Sequence, residues 1–138
     1  MEKRVSSCVF DTSVWVGLFH PSDIHHEAAR QAFSSVEWRI HIPYAALLET
    51  ATVLTYKVSK EQADKFLDFI LHDERCSVVS PDRDAECALF AGVAAKISFA
   101  DMAIIQTAFR YQVPLITFDK QMKKIYERSL HTGARDLI

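Results

Sequence analysis

The sequence has little of the two residues that break helices and strands, since its 138 residues include only three glycines and four prolines. Flexible linkers, low-complexity tracts and collagen-like chains are rich in one or both, so these classes are excluded. Apolar residues make up 49 % of the chain and charged residues 25 %, as in ordinary globular proteins. The length fits one domain over residues 1–138, with a hydrophobic core of its own.

Cysteines are also few and odd in number, namely Cys8, Cys76 and Cys87, with no Cys-x-x-Cys pair. This pattern excludes a disulfide framework and a cysteine zinc site, and it predicts buried thiols in a reducing compartment. No apolar run reaches the roughly 18 residues that span a bilayer. The N-terminal residues lack the apolar segment of a signal peptide. We therefore expect a cytoplasmic protein with no membrane partner.

A large excess of positive charge is missing as well, because the net charge is −2. The chain is therefore not a strongly basic nucleic-acid-binding protein. This argues only weakly against a polynucleotide substrate. If four acidic residues were gathered around metal ions, the rest of the chain would carry a net charge of +2.

Short apolar runs alternate with helical patterns along the whole sequence. We predict about five short strands among about seven helices, which indicates an α/β fold. Its expected form is a three-layer αβα sandwich around a mostly parallel sheet. The predicted strands include a possible edge strand in the tail and lie at Cys8–Phe10, Trp38–Ile42, Cys76–Val79, Val113–Phe118 and within His131–Ile138.

Two helices and one histidine pair carry further expectations. The helix after Asp82 is predicted to face inward through its apolar residues, which are Cys87, Phe90, Ala91 and Ala94. The helix Lys60–Leu71 has a clean apolar face. The neighbouring His25 and His26 point to different faces of a helix, so we read them as solvated and not as metal ligands.

An acidic residue followed by two hydroxyl residues ends the first apolar run, at Asp11, Thr12 and Ser13. One interpretation is that these residues cap the helix that starts there. The other is a functional carboxylate, since ligand sites in parallel sheets lie at the carboxyl ends of the strands.

Three further acids stand in unusual places. Glu49 lies within an apolar helix, where an unpaired buried carboxylate is costly. Asp101 follows Ser98 as in a capping box, yet it shares the apolar face of its helix. Asp119 ends a second apolar strand, as Asp11 ends the first. If these acids converge at one edge of the sheet, they would repel one another unless hard divalent cations held them.

Four short segments, each weak alone, stand in a specific order and spacing: Val9–Ser13, Ala46–Thr50, Ile97–Asp101 and Leu115–Lys120. Together they resemble the PIN-domain family of metal-dependent ribonucleases, and within it the VapC-type toxins of prokaryotic toxin–antitoxin pairs. The resemblance covers nearly the whole chain. One departure is Met122, where many members have an aromatic residue, which bears on packing more than on chemistry.

The resemblance implies that Asp11, Glu49 and Asp101 are the principal metal-binding acids and that Asp119 is a fourth. It also implies that Mg²⁺ or Mn²⁺ activates water for endonucleolytic cleavage of single-stranded RNA, leaving a 5′-phosphate and a 3′-hydroxyl. The hydroxyl side chains expected to orient the carboxylates are Thr12, Ser98 and Thr117.

Three partners are expected, namely RNA, a small cognate antitoxin and a second copy of the chain. A helical stripe after Asp119 either binds the RNA backbone or is a solvated face, and it consists of Lys120, Lys123, Lys124 and Arg128. Trp15 and Phe19 lie on one side of the first helix, and Val14 and Leu18 lie on another. Either both sides face the core, or one pair stays at the surface, where an exposed aromatic pair beside the acids would suit a bound antitoxin.

Other enzyme classes fit less well. A phosphatase of the haloacid dehalogenase type needs a second Asp two residues after the first, where Ser13 stands. A phospho-acceptor receiver domain has no use for an acid in the middle of a helix, as Glu49 is. The alternative that remains is a PIN scaffold that binds RNA or protein without cutting.

Overall fold

The structure, a computed structural model, describes residues 4–131. Four strands and seven helices alternate in this range: β1 Val5–Phe10, α1 Thr12–Phe19, α2 His26–Ser35, β2 Val36–Pro43, α3 Tyr44–Lys57, α4 Lys60–His72, β3 Cys76–Val79, α5 Arg83–Gly92, α6 Phe99–Tyr111, β4 Leu115–Ile116 and α7 Lys120–His131. The predicted α/β alternation is confirmed, with four described strands instead of about five. The possible edge strand lies outside the described residues, except for His131, which ends α7.

The four strands form one parallel sheet in the order β3-β2-β1-β4. From β1 the chain builds outward through β2 to β3, then crosses back to place β4 on the other side of β1. The strand order thus reverses at β1, and a crevice opens at such a point beyond the carboxyl ends of the strands. The first acid, Asp11, follows β1 at this crevice.

The central strand β1 is apolar because it is covered on both faces. Its residues Cys8, Val9 and Phe10 are fully buried, and an unbroken apolar run is typical of a strand in a parallel sheet between helices. Val9 pairs with Leu115 and Phe10 with Ile116. This register brings the end of β4 beside the end of β1.

The prediction that Trp15 and Phe19 of α1 form an exposed pair is wrong. Trp15 is fully buried, with its ring 5.1 Å from that of Phe10 and 5.7 Å from that of Phe66. Phe19 is half-buried and packs on Phe66 and Phe69. Helix α4 therefore covers the side of α1 that the sequence left open to a partner.

The predicted orientation of α5 is also wrong. Its residues that face inward include Glu86 and Leu89, and the Glu86 carboxylate accepts a hydrogen bond from the Asp82 backbone N–H at 2.8 Å. An acid at a helix start can thus be buried when it satisfies the free N–H groups there. The residues predicted to face the core are exposed instead: Cys87, Phe90, Ala91 and Ala94.

Two of the three thiols fit the sequence prediction. Cys8 is buried and Cys76 half-buried, and burial raises the pKa of each thiol to about 12. Cys87 is exposed, which corrects the expectation for that residue. Within residues 4–131, none of the helices has the length and apolar character needed to cross a membrane.

Candidate active site

Asp11 is positioned by the two strands that meet at the crevice. Its backbone N–H donates to the Ile116 carbonyl at 2.9 Å. Although Asp11 is the N-cap residue of α1, its side chain caps nothing. The carboxylate instead accepts hydrogen bonds from the Thr117 hydroxyl at 2.7 Å and the Ser13 hydroxyl at 2.9 Å. The interpretation of Asp11 as only a helix cap is therefore wrong.

Ser13 is a site residue that the sequence interpretation missed. Its hydroxyl donates to Asp11 and accepts from the Phe118 backbone N–H at 3.1 Å. The Thr117 hydroxyl, in turn, accepts from the Asp119 backbone N–H at 3.0 Å. These bonds tie the segment that carries Asp119 to the Asp11 carboxylate. The Asp-x-Ser spacing was visible in the sequence, but the partner of the serine lies about a hundred residues away.

Glu49 reaches the site from the second turn of α3. It is half-buried, and burial together with the nearby Asp11 charge raises the pKa of its carboxyl. The Thr12 hydroxyl lies 3.5 Å from Glu49 Oε2, a long hydrogen bond that opposes this shift. The structure thus places Thr12 against Glu49.

Asp101 lies in the first turn of α6. Ser98 is the N-cap residue, and its hydroxyl oxygen accepts from the Asp101 backbone N–H at 3.1 Å. Burial, then the charges of Asp11 and Glu49, raise the pKa of the Asp101 carboxyl to about 6, with a smaller contribution from Asp119. The Ser98 hydroxyl acts in the opposite direction. The capping role of Ser98 and a functional role of Asp101 are thus compatible.

Asp119 is exposed, and it does act as a helix cap. Its Oδ1 accepts from the backbone N–H groups of Gln121 at 2.8 Å and Met122 at 3.2 Å. One carboxylate oxygen is engaged in this way. Because the carboxylate influences Asp101, it also belongs to the same electrostatic group as the other three acids.

One cleft with a volume of about 320 Å³ is lined by all four acids. The other described residues that line it come from α1, from the segment before α2, and from α3: Thr12, Ser13, Val16, Asp23, His25, Val53 and Lys57. The cleft thus unites the four predicted acids, and Asp23 as a fifth carboxylate, from separate parts of the chain next to the reversal point of the sheet.

The donor set suits hard divalent cations, which prefer carboxylate and other oxygen ligands. Burial, and after it the repulsion among the acids, raises the pKa of Glu49 and Asp101, and the repulsion is relieved when such a cation binds. Among residues 4–131, no three His, Cys, Asp or Glu side chains already stand in a ligating group. The oxygen donors of the four acids still fit a divalent cation in their chemistry.

The other predicted contact residues lie outside this cleft. The cations of α7 are exposed and do not line it: Lys120, Lys123, Lys124 and Arg128. In contrast, His25 does line it, and its ring stacks on Phe118 with 4.8 Å between the ring centroids. His26 is half-buried and its Nδ1 lies 2.8 Å from the Gly17 carbonyl oxygen. The expectation that both histidines are merely solvated is therefore wrong.

Replacing Asp101 by Asn is expected to stabilise the metal-free protein at pH 7 by about 1 to 2 kcal/mol. The folded pKa of about 6 lies above the ordinary value of 3.8, so this group's stabilising effect is present below about pH 4 and is lost as the pH rises through 6. The full shift would correspond to about 3 kcal/mol, which solvent screening of this half-buried group reduces. Urea unfolding with a metal chelator, at pH 4.5 and pH 7, measures the difference.

The gain of Asp101→Asn should be smaller at pH 4.5, where the native carboxyl is mostly protonated. Asp68→Asn is the matched control, because Asp68 is an exposed acid of α4 whose ion-pair partner among the described residues is the neighbouring His72. An equal gain at both pH values would contradict charge repulsion as its cause.

Comparison with known proteins places these residues in a family. A model of the PIN domain matches residues 8–128. A search of curated proteins with this sequence found no significant match. Among solved structures, the chain is similar to VapC20 of Mycobacterium tuberculosis, a toxin that cleaves the sarcin–ricin loop. The TM-score is 0.76 at 19 % identity, covering 85 % of this chain and 93 % of that one.

A second similar structure is that of VapBC2 from Rickettsia felis bound to a DNA fragment from its promoter. The TM-score is 0.62 at 17 % identity, covering 86 % of this chain and 92 % of the other. At identities this low, the structural similarity establishes a shared fold and nothing more. The family model matches far more than half of the 138 residues, which confirms the resemblance in the sequence: the chain belongs to the PIN-domain family.

Proposed function

We propose that the protein is a divalent-metal-dependent endoribonuclease that cleaves single-stranded RNA, and that it is the toxin of a toxin–antitoxin pair. The observation that carries the proposal is the single cleft lined by Asp11, Glu49, Asp101 and Asp119. Two of these carboxyls have raised pKa values because of burial and the charges of the others. A cluster of acids whose carboxyl pKa values are raised by burial and by one another's charges is typical of a site that binds cations.

The four carboxylates would hold Mg²⁺ or Mn²⁺, while Ser13, Thr12 and Thr117 fix the orientation of individual carboxylates. When bound, the ion supplies an activated water and positive charge for the phosphoryl oxygens. No nucleophile from the chain is then required. The Ser13 and Thr117 hydroxyls, which donate to the Asp11 carboxylate, hold it in one direction.

The similar structures support the proposed role as the toxin of a toxin–antitoxin pair. VapC20 is described as a toxin that cleaves the sarcin–ricin loop, and VapBC2 as a complex bound to promoter DNA. By analogy of fold, we place this chain among VapC-type toxins with a small cognate antitoxin, acting in the cytoplasm. The Trp15 surface that the sequence suggested for the antitoxin is ruled out by its burial.

Titration of cleavage with Mg²⁺ or Mn²⁺ on generic single-stranded RNA tests this function. We expect no cleavage with a chelator, cleavage that saturates with the metal, and products with a 5′-phosphate and a 3′-hydroxyl. The alternative is a PIN scaffold that binds without cutting, and it has one observation in its favour: the described acids do not yet form a ligating group. RNA binding without cleavage at any metal concentration would establish that alternative.

We also propose that the protein is a homodimer. Exposed apolar side chains remain on the surface, and the rings of Phe90 and Phe99 are in contact there, each about two-fifths exposed. Contiguous apolar surface of this kind is typical of protein interfaces. Sedimentation equilibrium is expected to give twice the mass of the 138-residue chain. A monomer at tens of micromolar protein would reject the dimer.

A further inference from the structure

A second, smaller cavity adjoins the acidic cleft. It has a volume of about 100 Å³ and is lined by Asp101 and Asp119, which also line the larger cleft. Its other lining residues come from the start of α6, the segment before it, and α7: Lys96, Ile97, Ser98, Gln121, Met122 and Ile125. The two cavities meet at these two carboxylates, so together they form one groove with the acids in its middle.

Each of the two cavities has one lysine among the described residues that line it. Lys57 lines the larger cleft and is the last residue of α3, two turns beyond Glu49. Eight residues of α-helix span about 12 Å. Lys96 lines the smaller cavity, five positions before Asp101. The groove therefore combines one lysine from each cavity with the acids that line it, which include Asp23 of the larger cleft.

In the part of the chain that the structure describes, no ion pair includes Lys57 or Lys96, and both are exposed. The lysines of α4 differ, since Lys60 pairs with Asp64 and Lys65 with Glu61. Two cations without an ion-pair partner among the described residues, in a groove whose lining includes five acids, are available to contact an external anion.

Resting on the function proposed above, we propose that single-stranded RNA lies along this groove with its phosphates held by Lys57 at one end and Lys96 at the other. Carboxylates repel the phosphates of an RNA strand wherever a metal ion does not intervene. Cations on both sides of the acids offset this repulsion for the nucleotides that flank the cleaved bond. The lysines are thus positioning residues that hold the strand across the metal site.

The size of the groove favours a single strand. A volume of about 320 Å³ is at the lower end for a small-molecule pocket, which suits a nucleotide or two and not a duplex. The ring of His25, which lines the same cleft, is stacked on Phe118. A stacked aromatic surface beside a cationic contact is typical of single-strand binding.

The steady-state cleavage of an RNA strand of about 12 nucleotides, with saturating Mn²⁺, tests the proposal. Lys57→Ala and Lys96→Ala are each expected to lower kcat/KM about tenfold, mainly through KM. Each should also reduce the slope of log kcat/KM against log salt concentration by about 0.7, the value for one phosphate contact. Lys57→Arg and Lys96→Arg are expected to restore most of the loss.

Lys65→Ala is the matched control, because Lys65 is an exposed lysine on α4 that lines neither cavity. It should keep the wild-type kcat/KM and salt slope. The double variant Lys123→Ala/Lys124→Ala, measured alongside, tests the alternative path along α7. All these side chains are exposed, so thermal melts of the variants should match the wild type.

Two results would overturn the proposal in distinguishable ways. If the wild type cleaves RNA while Lys57→Ala and Lys96→Ala behave as Lys65→Ala does, the strand takes another path and the nuclease function stands. If the wild type neither binds nor cleaves RNA with Mg²⁺ or Mn²⁺, the nuclease function itself is wrong, and the groove has no RNA to position.

Discussion

Replacing Asp11 by Asn is expected to reduce RNA cleavage about a thousandfold while the protein still folds. Asp11 ends the central strand, and its carboxylate is held by Ser13 and Thr117. An asparagine oxygen can accept the same two hydrogen bonds, so the local structure is preserved. The charge that, after burial, contributes first to the raised pKa values of Glu49 and Asp101 is lost, however, so we expect the remaining acids to bind a divalent cation far more weakly.

Cleavage assays and thermal melts with and without Mn²⁺ measure both parts of this expectation. Wild-type protein should melt at a higher temperature with Mn²⁺, because an ion that binds only the folded state stabilises it. The Asp11→Asn variant should lose most of that increase and, without metal, melt at the same temperature or higher. Asp68→Asn serves as the control, since this exposed acid of α4 lies outside the cleft. An undiminished effect of Mn²⁺ on Asp11→Asn would place the metal elsewhere.

The position of Asp11 was predictable because a buried strand of a parallel sheet can be recognised from a short local stretch of sequence. A buried strand reads as an unbroken apolar run, so Cys8–Phe10 and the acid after it stand out in the sequence. The same holds for the apolar run that contains β4 and ends at Asp119. Parallel strands end at one edge, and the convergence of two acids follows from that alone.

Long-range contacts explain most of what the sequence did not reveal. Ser13 binds the segment after β4, and nothing near residue 13 specifies that partner. Helix α5 has apolar residues on more than one side, so periodicity could not decide which side faces the core. The structure turns Leu89 inward together with Glu86, whose carboxylate pairs with a helix N-terminus.

The two lysines of the groove, too, could not be identified from the sequence. Lys57 ends α3 and Lys96 lies in the segment before α6, 39 positions away, and the fold brings them to two cavities that share Asp101 and Asp119. A stripe on one helix, as on α7, is visible as a periodic pattern in the sequence. Sequence reasoning therefore favours cationic stripes and overlooks isolated cations that the fold brings to one groove.

Replacing Trp15 by Ala is expected to lower the free energy of unfolding by about 3 to 5 kcal/mol, the range for a buried large aromatic residue. Trp15 is fully buried in edge-to-face contact with Phe10 and Phe66. Truncation removes these contacts and leaves a cavity between β1, α1 and α4. A loss of this size is a large part of the stability of a small domain. Urea unfolding followed by circular dichroism measures it.

Trp15→Phe and Tyr56→Ala make the comparison specific. The indole Nε1 of Trp15 is buried without a hydrogen-bond partner among the described residues, so phenylalanine removes an unsatisfied donor while it leaves a smaller cavity. These effects oppose each other, and we expect a loss of about 1 kcal/mol or less.

Tyr56 is 85 % exposed, so Tyr56→Ala should change stability by less than about 0.5 kcal/mol. A Trp15→Ala variant as stable as Tyr56→Ala would contradict the buried aromatic contact between α1 and α4. Trp15 lies on α1, which begins directly after Asp11 and contains Ser13. That result would therefore also contradict the inference that packing of Trp15 holds these two residues at the cleft.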